Sequence, residues 1–301
     1  MSFDHRRLTA ADFDPEVLVL FDQYVHGQID RRGFLDRAAK AAAAAGTTSA
    51  ALLAALSPNF AAAQQVKPDD ARLKTEFLEF DAPLGHGKGR AYVVRPAQAS
   101  GALPVVLVIH ENRGLNPHIE DVTRRLALEG YLAVAPDALF TKGGYPGDED
   151  KARALFGTLD LAKAREDFVA AAGWAQGLPG SNGRLGAVGF CYGGGVVNTL
   201  ATRVPALRAG APFYGPGPSL DAVDKIKAEL FIVFAENDPR INEGWPAYKD
   251  TLEVVGVKFT AQVYPGTQHG FHNDTTPRYD ERAAKDAWSR TLALFNRTLK
   301  G

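Results

Sequence analysis

From residue 76 onward, short apolar runs alternate with longer stretches in which apolar residues recur every three or four positions. The runs 77–80, 90–94, 105–109, 131–135, 185–190, 206–214, 230–235 and 258–264 are rich in apolar and β-prone residues. Most are bounded by Gly, Pro or Asp, a pattern that predicts eight strands. Residues 105–109 read Val-Val-Leu-Val-Ile with no polar interruption, as expected for a strand buried on both faces. Helical spacing covers 119–129, 149–175 in one or two pieces, the segment after Cys191, 242–254 and 278–299. Strands alternating with helices imply an α/β fold with a mostly parallel central sheet flanked by helices. In such sheets ligands meet the loops at the carboxyl ends of strands. Chemistry is therefore expected after Ile109, Phe190, Ala235 and Tyr264.

The first sixty residues have a different texture. Residues 37–63 are dominated by alanine, and they follow Asp30-Arg31-Arg32-Gly33-Phe34-Leu35-Asp36. That run resembles the twin-arginine export signal through its Arg-Arg-x-Phe-Leu core, while Asp30 and Asp36 depart from the flanking pattern. On this reading 41–56 is the apolar region, and Ala61-Ala62-Ala63 offers a cleavage site before Gln64. The protein would then be periplasmic or exported, with the export machinery as a partner. The apolar stretch is short and diluted by Gly46, Thr47, Thr48 and Ser49, so no stable membrane span is predicted. A retained helical arm on a cytoplasmic protein is the other reading. Residues 1–30 carry two arginines against six acidic residues, unlike a signal. Val17, Leu18, Phe21, Tyr24 and Val25 also recur at helical spacing and could cover a neighbouring surface. The chain thus divides into a signal or arm over 1–63, a linker over 64–75 and a main domain over 76–301.

Composition narrows the function classes. Hydrophobic residues make up 46% and charged residues 23% of 301, which is ordinary globular usage and excludes wholesale disorder. Lys plus Arg number 34 against 35 Asp plus Glu, so no basic excess exists to displace counterions from a nucleic acid. The single cysteine, Cys191, excludes an internal disulfide, and the seven histidines show no H-E-x-x-H spacing. No metal and no cofactor is expected.

Gly189-Phe190-Cys191-Tyr192-Gly193 has the form G-x-C-x-G between a predicted buried strand and a helix start. The flanking glycines suit a sharp turn that presents a nucleophile, and the helix N-terminus favours its thiolate. A packing cysteine is the bland alternative. The acid is expected next and the histidine last. Asp238 follows the run 230–235, with Glu236 as a rival acid. His269 follows the last strand, with His272 as a rival base. The loop after Ile109, His110-Glu111-Asn112-Arg113-Gly114-Leu115-Asn116, is placed to supply an oxyanion-hole amide. Asn112 and Tyr192 would give the two backbone N–H groups. The loop 141–147 is either a cover over the site or an ordinary turn.

These motifs together resemble the dienelactone hydrolase (carboxymethylenebutenolidase) family of α/β-hydrolases, from about Glu76 to the C-terminus. The resemblance implies an α/β-hydrolase fold and a Cys191–His269–Asp238 triad, with Glu111 assisting deprotonation of the thiol when substrate binds. The runs 110–117 and 273–279 are similar to a bacterial subgroup with a comparable N-terminal arm. Members that open dienelactone hold its carboxylate with arginines, one of them four residues after the histidine. Asn273 stands there in this chain, and Lys142 lies near the other position with shifted spacing. Arg113, Lys142, Tyr145 and Asn273 are therefore the candidate substrate contacts, with Arg240 and Arg278 as further candidate cations. The expected activity is hydrolysis of a small activated ester or lactone through a thioester. A broad small-ester carboxylesterase and a non-catalytic ligand- or partner-binding protein on the same fold are the alternatives. A Rossmann-type nucleotide binder fits less well, because Gly193-Gly194-Gly195 lacks the G-x-G-x-x-G spacing.

Overall fold

The computed structural model describes residues 7–301. Eight strands form one sheet: β1 (Leu73–Ala82), β2 (Gly87–Pro96), β3 (Leu103–Ile109), β4 (Leu132–Pro136), β5 (Ser181–Phe190), β6 (Leu207–Phe213), β7 (Glu229–Asn237) and β8 (Phe259–Gln268). Their order is β1-β2-β4-β3-β5-β6-β7-β8. β1 and β2 form an antiparallel hairpin and β2 runs antiparallel to β4, while the remaining neighbours are parallel. The mostly parallel sheet is the one the alternation of runs predicts, and its architecture is that of the α/β-hydrolases, which the family resemblance implies.

Each strand residue points to the opposite face from its neighbour, so the unbroken apolar run of β3 feeds two cores at once. Val105, Leu107 and Ile109 pack on one face with Phe168 and Leu200, while Val106 and Val108 pack on the other with Ile119, Val122 and Leu294. Between the four innermost parallel strands and their neighbours run α5 (Pro117–Leu128), α6 (Glu149–Phe156), α7 (Leu161–Gln176) and α8 (Tyr192–Arg203). α9 (Pro239–Asn242), α10 (Trp245–Val255) and α11 (Glu281–Phe295) follow. α11 starts later than the pattern suggests because the Asp280 side chain accepts from Ala283 N and caps it. Arg278 is thereby left in the preceding loop. β1 likewise begins at Leu73, inside the expected linker; its polar residues face outward from a strand at the sheet edge.

Residues 15–63 fold as α1 (Pro15–Val25), α2 (Arg31–Ala44), α3 (Ser49–Leu56) and α4 (Phe60–Ala63). Asp14, Asp30, Thr48 and Asn59 each accept a backbone N–H of the helix they begin. Asp30, which spoils the likeness to an export signal, is thus the N-cap of α2. Val17, Phe21, Tyr24, Phe34, Leu53 and Leu56 form a third apolar core within these helices. Among the described residues no single helix is long and apolar enough to cross a membrane. The arm is fastened to the main domain by Asn59 N donating to Thr275 O at 2.8 Å, Asn112 Nδ2 donating to Val25 O at 3.0 Å, and an Arg31–Asp150 ion pair at 3.3 Å.

The turn from β5 into α8 has no room for side chains. A Cβ on Gly189 would lie 2.2 Å from the carbonyl oxygen of Gly193, and one on Gly193 would lie 2.2 Å from the carbonyl oxygen of Ile109. Gly193→Ala should therefore destabilise the fold by about 3 kcal/mol, because both obstacles are backbone. Gly173→Ala, in α7 where an added Cβ would meet nothing within 4 Å, should stabilise by about 0.5–1 kcal/mol. Urea unfolding of the two variants checks both signs.

Candidate active site

Cys191 sits at the tip of that turn with φ 55° and ψ −113°, a left-handed backbone that costs a non-glycine residue about 1–3 kcal/mol. The conformation holds the residue at the N-terminus of α8, where unpaired amides and the helix dipole favour an anion. Its side chain is 8% exposed, on the wall of a cavity of about 380 Å³.

His269 arrives on the loop after β8, and its Nδ1 bonds Asp238 Oδ2 at 2.5 Å. Asp238 is fixed as the residue before α9, its carbonyl accepting from Ile241 N and Asn242 N. With Nδ1 held, Nε2 is buried without a hydrogen-bond partner. The His269 ring lies 4.9 Å from that of Tyr214. The rivals point elsewhere. His272 stacks on Phe190 at 4.9 Å, and burial drives its pKa down to about 3, so it is a neutral core residue. Glu236 accepts from Gly266 N at 2.8 Å and fastens the β8 loop.

His110 explains the shape of the loop after β3. Its Nε2 accepts from Ala138 N at 3.1 Å, so Nδ1 carries the proton and donates to Glu111 O at 2.6 Å. Burial lowers its pKa, consistent with this neutral form. Glu111 lines the cavity, and its Oε2 accepts from Asn273 Nδ2 at 2.9 Å. Asn273 therefore orients a carboxylate of the protein itself. The Tyr192 amide opens α8 and has no intrahelical acceptor, while Asn112 lines the same cavity.

Arg113, Tyr145 and Asn273 line the cavity, but Lys142 does not. Lys142 is exposed at the end of a short 3-10 turn, after which left-handed Gly143 and Gly144 redirect the chain so that Tyr145 reaches the cavity instead. Arg240 is exposed, and among the described residues its hydrogen-bond contact is with His26, Nη2 lying 3.1 Å from Nε2. Arg278 is buried against the Phe21 ring, lines the cavity and pairs with the Asp22 carboxylate at 3.7 Å, and among the described residues its Nε and Nη1 have no hydrogen-bond partner.

The arm contributes residues that the motif pattern does not reveal. Phe21, Tyr24, Val25, His26, Arg31 and Phe60 all line the cavity. His26 Nε2 lies 3.6 Å from Cys191 Sγ, and its ring meets His269 edge-on at 4.7 Å. Its Nδ1 is 2.8 Å from Asp22 O and 3.3 Å from the Asp22 carboxylate. The only signal in the chain is the apolar spacing of α1, at whose C-terminal end His26 stands.

Electrostatics complete the site. Burial alone would push the Cys191 thiol up, but the two imidazoles outweigh it, His269 foremost, and bring it down to about 6. For His269, burial opposes the charge, while the Cys191 sulfur and Asp238 overcome it and raise the ring to about 10. The arrangement thus favours a thiolate–imidazolium pair on the wall of the cavity.

The family model described as "Dienelactone hydrolase family" matches residues 90–299. The chain belongs to the dienelactone hydrolase family. A further model, described as YqhI-like, matches residues 5–42 of the arm. A Salmonella typhi protein provisionally named carboxymethylenebutenolidase is 36% identical over 221 residues, covering 68% of this chain and 81% of its own. The provisionally named hydrolase fragment YghX of Escherichia coli is 52% identical over 105 residues, 35% of this chain and 90% of that one. Among solved structures, a Klebsiella pneumoniae protein provisionally named dienelactone hydrolase superposes with a TM-score of 0.65 at 31% identity. It covers 74% of this chain and 99% of that chain. Membership of this family makes the protein a hydrolase acting on ester bonds.

Alkylation of Cys191 by iodoacetamide is unambiguous because the chain has one cysteine. The rate should fall as pH drops through about 6, where the sulfur takes up a proton. His269→Ala should move that midpoint upward by more than His26→Ala does. A wild-type midpoint at the ordinary thiol value of 9.0 would remove the ion pair.

Proposed function

We propose that the protein is a cysteine-nucleophile hydrolase of small activated esters or lactones, working through Cys191, His269 and Asp238. One observation carries this reading: the lone thiol sits on a strained strand-to-helix bend beside an imidazole whose far nitrogen is bonded to a buried carboxylate.

The Cys191 thiolate attacks the carbonyl carbon, and the electron pair of the C=O bond moves onto oxygen. The backbone N–H groups of Asn112 and Tyr192 receive that oxyanion, a contribution of a few kcal/mol from about two donors of this kind. As the intermediate collapses the C–O bond breaks, and the His269 imidazolium gives its Nε2 proton to the departing oxygen. His269, now neutral and steadied by Asp238, takes a proton from water as that water attacks the thioester. The C–S bond then breaks, releasing the acid and the thiolate. A thiolate of low pKa leaves more readily than an alkoxide, so strained lactones and enol or aryl esters suit this site better than amides. In molecules whose sulfur still carries its proton, Glu111, held by Asn273, assists the deprotonation when substrate binds. Arg278, a cation in the cavity wall beside Asp22, favours a substrate that carries a carboxylate in addition to its ester.

Substrates of this chemistry should be tested on wild type and Cys191→Ala, with p-nitrophenyl acetate and simple lactones. Loss of turnover by at least about 10³-fold is expected for the variant. Equal rates would remove Cys191 from the mechanism, and no turnover by wild type on any of them would favour the binding-protein alternative.

In this reading the arm stays with the domain, since it roofs the cavity, and the protein acts in the compartment where it is made. Protein isolated from its native host should have a mature N-terminal mass that includes α1. A mature start at Gln64 would instead support export through the twin-arginine-like run.

A further inference from the structure

The cavity holds two histidines of the same design. His269 has its Nδ1 on Asp238 at 2.5 Å, and His26 has its Nδ1 on Asp22, through the carbonyl oxygen at 2.8 Å and the carboxylate at 3.3 Å. In each the inner nitrogen is engaged by an acidic residue and Nε2 is turned towards one sulfur. The sulfur of Cys191 and one nitrogen of each ring lie within 4.8 Å of one another. Nucleophilic chemistry uses one imidazole, so the second is left to be explained.

Metal chemistry explains the pair. Histidines that bind a metal through Nε2 ordinarily pass the Nδ1 proton to a carboxylate or carbonyl, which fixes the tautomer and raises basicity. Zinc binds thiolate at about 2.3 Å and imidazole at about 2.0–2.1 Å, so tetrahedral geometry separates the sulfur from each nitrogen by about 3.6 Å. The Cys191 Sγ to His26 Nε2 distance is 3.6 Å. The Nε2 atom of His269 is buried and lacks any other hydrogen-bond partner. Arg240 Nη2 lies 3.1 Å from His26 Nε2, and in the neutral tautomer with its proton on Nδ1 that nitrogen offers a lone pair to a metal. Arg240 is exposed and free to swing out. All three residues line the cavity, so a fourth ligand to a tetrahedral metal would approach from that side.

We propose that Cys191, His269 and the arm residue His26 form a zinc-binding site that switches the hydrolase off. Sulfur and Nε2 lone pairs form three bonds to Zn²⁺, and the proton of the imidazolium passes to solvent as the metal enters. The thiolate pair used to attack a carbonyl is then committed to the metal, and His269 cannot move a proton. Removal of zinc restores both. Binding of the metal stands on the geometry alone, while the loss of turnover rests on Cys191 being the nucleophile.

The test uses the full chain, stripped with EDTA and titrated with Zn²⁺ against a competing chelating dye, and in parallel with Co²⁺. One metal per chain is expected, with a thiolate-to-cobalt charge-transfer band and the visible bands of tetrahedral cobalt. Ester hydrolysis should fall in step with zinc occupancy and return on addition of EDTA. His26→Ala should weaken zinc by at least about tenfold, and Cys191→Ala should remove the charge-transfer band. Arg240→Gln leaves the three ligands untouched and should bind zinc several-fold tighter, which reads the site even if His26→Ala unseats the arm. Absence of binding at micromolar zinc, unchanged affinity in both the His26 and Arg240 variants, or a cobalt spectrum without the thiolate band would each overturn the proposal. If Cys191→Ala keeps its turnover while wild type shows the cobalt band, the functional reading fails and the metal site stands.

Discussion

Backbone meets backbone where β5 turns into α8: Gly189 lies against the Gly193 carbonyl, and Gly193 lies against the end of β3. No side chain fits in either place, so the strand and helix approach closely and the intervening residue is forced into a left-handed conformation. Cys191 bears that strain. The return is positional: the sulfur is held at a helix N-terminus, in front of the loops that follow β3, β7 and β8. His269, Asp238 and Glu111 all come from those loops, so their mutual geometry depends on the bend keeping its shape.

The arm changes what kind of site this is. Its helices use the loops after β3 and β8 as their docking surface. Asn112 holds the Val25 carbonyl, Thr275 receives Asn59 N, and Arg278 lies over Phe21. These contacts fall in the runs 110–117 and 273–279. Their residues serve the nucleophile on one side and the arm on the other. Asn273 illustrates the exchange: it orients Glu111 rather than presenting a cation, while Arg31, Arg113 and Arg278 stand in the cavity wall.

The sheet was legible because its strands are short apolar runs separated by Gly, Pro and Asp, and because the run at 105–109 needs cover on both faces. The meeting of Cys191, His269 and Asp238 in one site was legible because each follows such a run and their order along the chain is restrictive. His26 was not, since nothing local marks a histidine at the end of an amphipathic helix as facing a sulfur 165 positions away. Lys142 was misplaced for a similar reason, as the consecutive left-handed glycines after it turn the chain back. The arm read first as an export signal, with a retained scaffold as the alternative, because alanine-rich, mildly apolar sequence suits both. The burial of Phe34 and Leu56 depends on partners distant in sequence, which local composition does not record.

The central claim is that the acyl group passes through the sulfur of Cys191. Rapid acid quenching of full-length protein mixed with p-nitrophenyl acetate, followed by peptide mass spectrometry, tests it most directly. The account predicts an acetyl group on the Cys191 peptide, appearing within the first turnover and decaying as substrate is exhausted. Continued turnover with that peptide unmodified, or with the acetyl group on another side chain, would contradict it.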